Sequence, residues 1–186
     1  MISLIGLPGS GKSTVGRQLA RRLGLDFIDS DAEIEKRLGC SIREYFEREG
    51  EESFRDVEQS TIRDLVTLPS SSILNASAGL VLSTGGGSVL RPDNRTDLRH
   101  NGRVVYLHSQ PDDIIKRLRH DRNRPLLQVG DPLQRLRDLY ALRDPLYRET
   151  AHFVVETGRP SVATLVNIIV MQLELAGKLP HPLTLP

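Results

Sequence analysis

Residues 6–13 read GLPGSGKS, directly behind the apolar run Ile2–Ile5 and at the head of a segment with helical spacing. A strand, a glycine-rich loop and a helix in that order leave the chain few options. Gly6, Gly9 and Gly11 allow the backbone positive φ, so that its N–H groups turn inward, and the helix aims its positive end at the same point. Such a concavity suits phosphate oxygens. Lys12 then serves as a mobile cation on the surface of the loop for the β- and γ-phosphates, and the Ser13 hydroxyl as a ligand for Mg²⁺. The chain is therefore expected to bind a nucleoside triphosphate, with Gly9, Ser10, Gly11, Lys12, Ser13 and Thr14 at its phosphates.

The 186 residues suffice for one domain with its own core. With 25 basic and 24 acidic residues the net charge is only +1, which gives no case for nucleic acid or a membrane surface as partner. Cys40 is the only cysteine, so an intrachain disulfide is excluded, and the amino terminus lacks the pattern of a secretory leader. A reducing, cytoplasmic setting and a monomer are expected. The apolar segment 163–175 is broken by Asn167, Gln172 and Glu174 and is too short to span a bilayer.

The remaining pattern alternates strands and helices, which predicts an α/β fold around a parallel sheet. Helices are expected at 12–23, 31–38, 41–48, 51–68, 111–119, 132–150 and 161–176. Strands are expected at 2–5, 25–29, 80–83, 104–107 and 152–156. Ser41 and Glu44 spell a capping box, and Gly50 separates the third helix from the fourth. One domain spans 1–178. Within it the polar stretch 120–131 suits a lid, and 179–186, with its three prolines, is expected to be a disordered tail.

In an open parallel sheet, ligands bind beyond the carboxyl ends of the strands. Asp29 and Asp31 follow the second strand, and Gly85, Gly86 and Gly87 the third. Two carboxylates beside a triphosphate repel it unless one serves a metal and one accepts a proton. Asp29 is therefore assigned to Mg²⁺, through water, and Asp31 to an acceptor hydroxyl; Asp31 equally suits the N-cap of the helix that follows. Arg55 and Glu58 share a helix face, where an exposed ion pair contributes only a few tenths of a kcal/mol. The three glycines permit close approach of a small ligand.

In series, GLPGSGKS, DSD at 29–31, EGEESFRDVE at 49–58, TGGG at 84–87, RNRPLL at 122–127 and RDPLY at 143–147 resemble the shikimate kinases in order and spacing. The resemblance covers residues 2–160. It implies the three-layer P-loop fold of the nucleoside monophosphate kinase type, with a parallel sheet of about five strands in the order 2-3-1-4-5. The implied reaction moves the γ-phosphoryl of ATP to the 3-hydroxyl of shikimate, on the route to chorismate and the aromatic amino acids. It further implies that Arg55 and Arg143 bind the substrate carboxylate, that Glu58 orients Arg55, and that Asp31 with the Gly86 and Gly87 backbone holds the ring hydroxyls. Arg124 corresponds to a lid arginine at the phosphates. Arg117 corresponds to a residue that stacks on adenine, with Arg159 on its other side. Segment 156–160 is shorter than the usual adenine loop, and 69–79 is longer than needed. The alternatives are another small-molecule kinase, for gluconate or a nucleotide, and a non-catalytic, nucleotide-gated binding protein.

Overall fold

A computed structural model describes residues 1–67, 79–118 and 131–177. Five strands, β1 (Ile2–Ile5), β2 (Asp26–Asp29), β3 (Leu80–Ser83), β4 (Arg103–His108) and β5 (Phe153–Glu156), pair in parallel in the order β2-β3-β1-β4-β5. This is the order that the resemblance implied. Because all five run the same way, every carboxyl end lies on one edge, and β1 at the centre delivers the loop 6–11 to its middle.

Alternation along the strands divides the core into two layers. Leu4, Val105 and Leu107 face α1 (Lys12–Leu23) and α7 (Val162–Leu175), packing on Val15, Leu19, Val166 and Ile169. Ile5, Val104 and Tyr106 face the other way, toward α3 (Ile42–Thr67), α4 (Pro92–Asn101), α5 (Pro111–Leu118) and α6 (Pro132–Thr150), where Ile62, Leu98, Ile114 and Leu136 are buried. Helices thus cover both faces of the sheet, giving three layers.

Several boundaries differ from expectation for local reasons. The helix predicted from 31 begins one residue earlier, as α2 (Ser30–Leu38), because Asp29 caps it. Gly50, at φ 82° and ψ 175°, breaks α3 as expected, so its two halves meet at a kink. The capping box also forms: Glu44 N–H donates to Ser41 Oγ at 3.2 Å, and Ser41 N–H to Glu44 Oε2 at 2.9 Å. Helix α4 was not anticipated. It buries only Asn94 and Leu98, so it has no apolar stripe to read; Pro92 in its first turn was the available signal. Segments 68–78, 119–130 and 178–186 lie outside the described residues, and with them the expected tail and nearly all of the expected lid. Asp131, placed at the end of that lid, is instead the N-cap of α6, accepting from Gln134 N–H at 2.9 Å. Among the described residues no helix is long and apolar enough to cross a membrane.

The seat of α1 on the sheet depends on Gly16, where an added Cβ would lie 2.6 Å from the Phe27 ring and 3.2 Å from Leu4. Gly16→Ala is expected to lower the unfolding free energy by about 1–3 kcal/mol through overpacking. Urea denaturation checks this; an unchanged midpoint would show that Phe27 moves aside freely.

Candidate active site

The loop after β1 has the predicted backbone, with Gly9 at φ 83° and Gly11 at φ 95°. Lys12, however, does not lie on the loop's surface. It is 8% exposed, and its ammonium donates to the Gly6 carbonyl at 2.9 Å and the Leu7 carbonyl at 2.8 Å, pinning the strand exit to the start of α1. A lysine this close to an inward-turned loop finds the carbonyls that point away from the N–H cradle. Ser10 is buried in the same loop, its hydroxyl without a partner among the described residues. Thr14 is exposed at the rim of a cavity of about 230 Å³ that Gly9, Gly11, Lys12, Asp31 and Gly86 also line.

Ser13 and Asp29, both assigned to the metal, come together: Ser13 Oγ donates to Asp29 Oδ2 at 2.6 Å. A hydroxyl and a carboxylate oxygen at this separation are hard donors suited to Mg²⁺. Among the described residues no group of three or more His, Cys, Asp or Glu could hold an ion by itself. The described residues therefore offer two oxygens of the kind that phosphate and water complete, and no dedicated cage among themselves.

The other oxygen of Asp29 accepts from Asp31 N–H at 3.1 Å, which caps α2. This corrects the N-cap reading of Asp31, whose carboxylate is left for other work. A Cβ on Gly85 would lie 2.5 Å from Asp31 Oδ1 and 3.1 Å from Glu58 Oε1, one on Gly86 would lie 2.7 Å from Pro8, and one on Gly87 would overlap the Arg55 guanidinium. The room the glycines leave is thus filled largely by the protein's own functional side chains, where the sequence had pointed to a ligand. Asp31 is pushed up to about 6, first by burial and next by the Asp29 charge; Glu58 and Glu35 add to this and Lys12 opposes it.

Arg55 and Glu58 are not the exposed pair that helix spacing alone describes. They are 9% and 2% exposed and bonded at 2.7 Å. Burial pushes the Glu58 carboxyl up, against the pull of Arg55. Glu51 takes a second Arg55 N–H at 2.9 Å. From α6, Arg143 Nη1 donates to the Gly86 carbonyl at 3.1 Å. The Nε atoms of Arg55 and Arg143 are both buried without a partner among the described residues. Two orphaned guanidinium donors next to the cleft are unusual, since buried polar groups are nearly always satisfied, and they mark a place for an anionic acceptor.

Arg117 stands elsewhere on the same edge, donating to the Thr157 carbonyl at 3.0 Å and to Thr157 Oγ1 at 3.2 Å, and Arg159 is exposed two residues further on. Arg124 lies outside the described residues. Thr84, whose hydroxyl donates to the Leu4 carbonyl at 3.1 Å, lines the cavity and was missed. Pro8 and Tyr147 were missed as well, although GLPGSGKS and RDPLY contain them.

The raised Asp31 has a consequence for stability. A carboxyl that titrates near 6 folded, and near its ordinary value of about 3.9 unfolded, binds more protons in the native state between those values, so stability falls as pH rises through that window. Asp31→Asn removes the penalty and leaves the Asp29 cap in place. The free variant is expected to match wild type near pH 3.5 and to exceed it by about 1–3 kcal/mol at pH 8. Denaturant unfolding across pH checks this, and a variant less stable at pH 8 would contradict it.

A sequence model of the family described as shikimate kinase matches residues 8–174. The shikimate kinase of Paracidovorax citrulli is 60% identical over 179 residues, 95% of this chain and 93% of that protein. The solved shikimate kinase from Acinetobacter baumannii in complex with shikimate shares 45% identity and a TM-score of 0.83, covering 96% of this chain and 94% of that one. A gluconokinase from Sinorhizobium meliloti reaches a TM-score of 0.56 at 20% identity, covering 97% of each chain. That likeness extends to the fold alone.

Proposed function

The chain belongs to the shikimate kinase family, and from that premise we propose that it transfers the γ-phosphoryl of ATP to the 3-hydroxyl of shikimate, yielding shikimate 3-phosphate and ADP. The observation that carries this assignment is the convergence of Asp31 and Glu58 on Gly85 and of Arg55 on Gly87, beside the phosphate loop. A nucleotide acceptor brings no carboxylate for the buried, glutamate-braced Arg55, and family membership favours shikimate over gluconate, which carries a carboxylate of its own.

In this reading the loop N–H groups and Lys12 hold the phosphates, and Lys12 stabilises charge that develops in transfer. Ser13 and Asp29 would hold Mg²⁺, which when bound neutralises phosphate charge. Arg55 and Arg143 take the acceptor carboxylate through their forked N–H donors, and Glu58 fixes the Arg55 plane. The Gly86 and Gly87 backbone and Asp31 take the ring hydroxyls. Asp31 receives the proton of the reacting hydroxyl as its oxygen bonds to the γ-phosphorus and the bond to ADP breaks. A base that titrates near 6 is mostly ionised at neutral pH yet accepts a proton more readily than an ordinary carboxylate. Arg117 and Arg159 are assigned to the adenine, and Arg124 to the phosphates on the strength of its motif. The lid at 120–131, the cytoplasmic setting and the monomeric state belong to the same proposal.

An assay that couples ADP release to a colour change, with ATP and Mg²⁺, should respond to shikimate and not to gluconate or AMP; activity confined to either of the latter rejects the assignment. In the same assay kcat/KM for shikimate should rise with pH through about 6 as Asp31 ionises, and Asp31→Asn should abolish that limb together with at least about a hundredfold of turnover.

Arg55→Ala should weaken shikimate by about 2–5 kcal/mol, because it removes one carboxylate partner and leaves Glu58 buried without its counter-charge. The KM for ATP should stay near wild type. An unchanged KM for shikimate would remove Arg55 from the acceptor site.

A further inference from the structure

Tyr147 lies one turn beyond Arg143 on α6, so the two side chains leave the same helix face. It is fully buried, and its hydroxyl donates to the Gly86 carbonyl at 2.5 Å, the same oxygen that receives Arg143 Nη1 at 3.1 Å. A carbonyl oxygen has two lone pairs, and here both are taken by donors from α6. On the opposite side Gly86 is wedged against Pro8 of the phosphate loop, where a Cβ would lie 2.7 Å away. The peptide that follows Gly86 is therefore held between the two halves of the site. In a trans peptide the N–H points opposite to the C=O, so a Gly86 carbonyl turned to α6 sends the Gly87 N–H away from it. That N–H has no acceptor among the described residues.

Burial pushes the Tyr147 phenol far above its usual range, so it stays a donor at every working pH. Its ring is fixed by Tyr106, with centroids 4.9 Å apart, and the Tyr106 hydroxyl is committed to Asp144 at 2.8 Å. The rigid hydroxyl thus shares a carbonyl with an arginine that has a second task. Were Arg143 its only donor, turning that guanidinium toward a carboxylate would strand a buried carbonyl.

We propose that Tyr147 is a positioning residue for the acceptor: it keeps the Gly86 carbonyl satisfied and the Gly87 N–H aimed away from α6, so that Arg143 can engage the acceptor carboxylate at no loss to the loop. The inference rests on the shikimate kinase assignment above and adds to it a residue that touches no substrate.

Tyr147→Phe keeps the ring and its stack and removes the hydroxyl, both as donor to Gly86 and as a hydrogen-bond partner of Arg143. Steady-state ADP release by the full chain should show KM for shikimate raised about tenfold, the equivalent of one neutral hydrogen bond, with KM for ATP unchanged and kcat lowered no more than about threefold. Tyr106→Phe removes the neighbouring phenol without touching Gly86, and should leave KM for shikimate within about twofold of wild type. Three results would overturn the proposal: an unchanged KM for shikimate in Tyr147→Phe, an equal rise in both KM values, or the same effect from both phenylalanine variants. Wild-type turnover on shikimate is the separate check on the assignment, so a failure there is not confused with a failure of Tyr147.

Discussion

Three consecutive residues without side chains at the end of β3 set the geometry of everything around them. Each absent Cβ corresponds to a group from another part of the chain: Asp31 and Glu58 at Gly85, Pro8 at Gly86, Arg55 at Gly87. Helices α2 and α3 and the phosphate loop can approach one strand end this closely only because the backbone there occupies no lateral space. The Gly85 N–H is in turn taken by the buried Ser30 hydroxyl at 3.0 Å, which ties the start of α2 to the same point. A methyl group on any one of the three would displace the group that it faces: the acids at Gly85, the phosphate loop at Gly86 or the arginine at Gly87.

Charge is distributed unevenly across that contact. Asp29 spends one oxygen on the α2 cap and the other on Ser13. Glu58 is matched by Arg55. For Asp31 the charge of Lys12 is outweighed by burial and three neighbouring carboxylates, and this acid is driven up to about 6. Environment therefore separates carboxylates of the same kind into a cap, a brace and an acid held well above its ordinary range, the last proposed as the proton acceptor. The price is a site that stabilises the free protein less than a neutral residue would, the usual compromise where chemistry needs a poised group.

Much of this was legible in the sequence because it rests on local rules. Glycine and lysine spacing specified the phosphate loop, and continuous apolar runs marked the buried strands. Gly50 marked the break in α3, and Ser41 with Glu44 its capped start. Helix α4 escaped because a helix with only Asn94 and Leu98 buried carries no periodic signal. The cap of α2 was placed two residues late because Asp29 and Asp31 are equally good cap residues on composition, and only the path of the chain out of β2 chooses between them.

What the sequence determined alone was the kind of chemistry: residue type and short-range spacing dictated a phosphate cradle and a hydroxyl and carboxylate suited to Mg²⁺, while the arginines for a carboxylate came from the resemblance of the motifs in series. Tertiary structure decided which of those groups are buried and what they face. Helix spacing cannot tell whether Arg55 and Glu58 point to water or to Gly87, nor that Lys12 folds back on Gly6 and Leu7, nor that Tyr147 and Arg143 meet on a carbonyl 61 and 57 residues away. Burial, and with it the strength of a charge pair or the pKa of an acid, depends on which distant segments close over a group, and no local pattern encodes that.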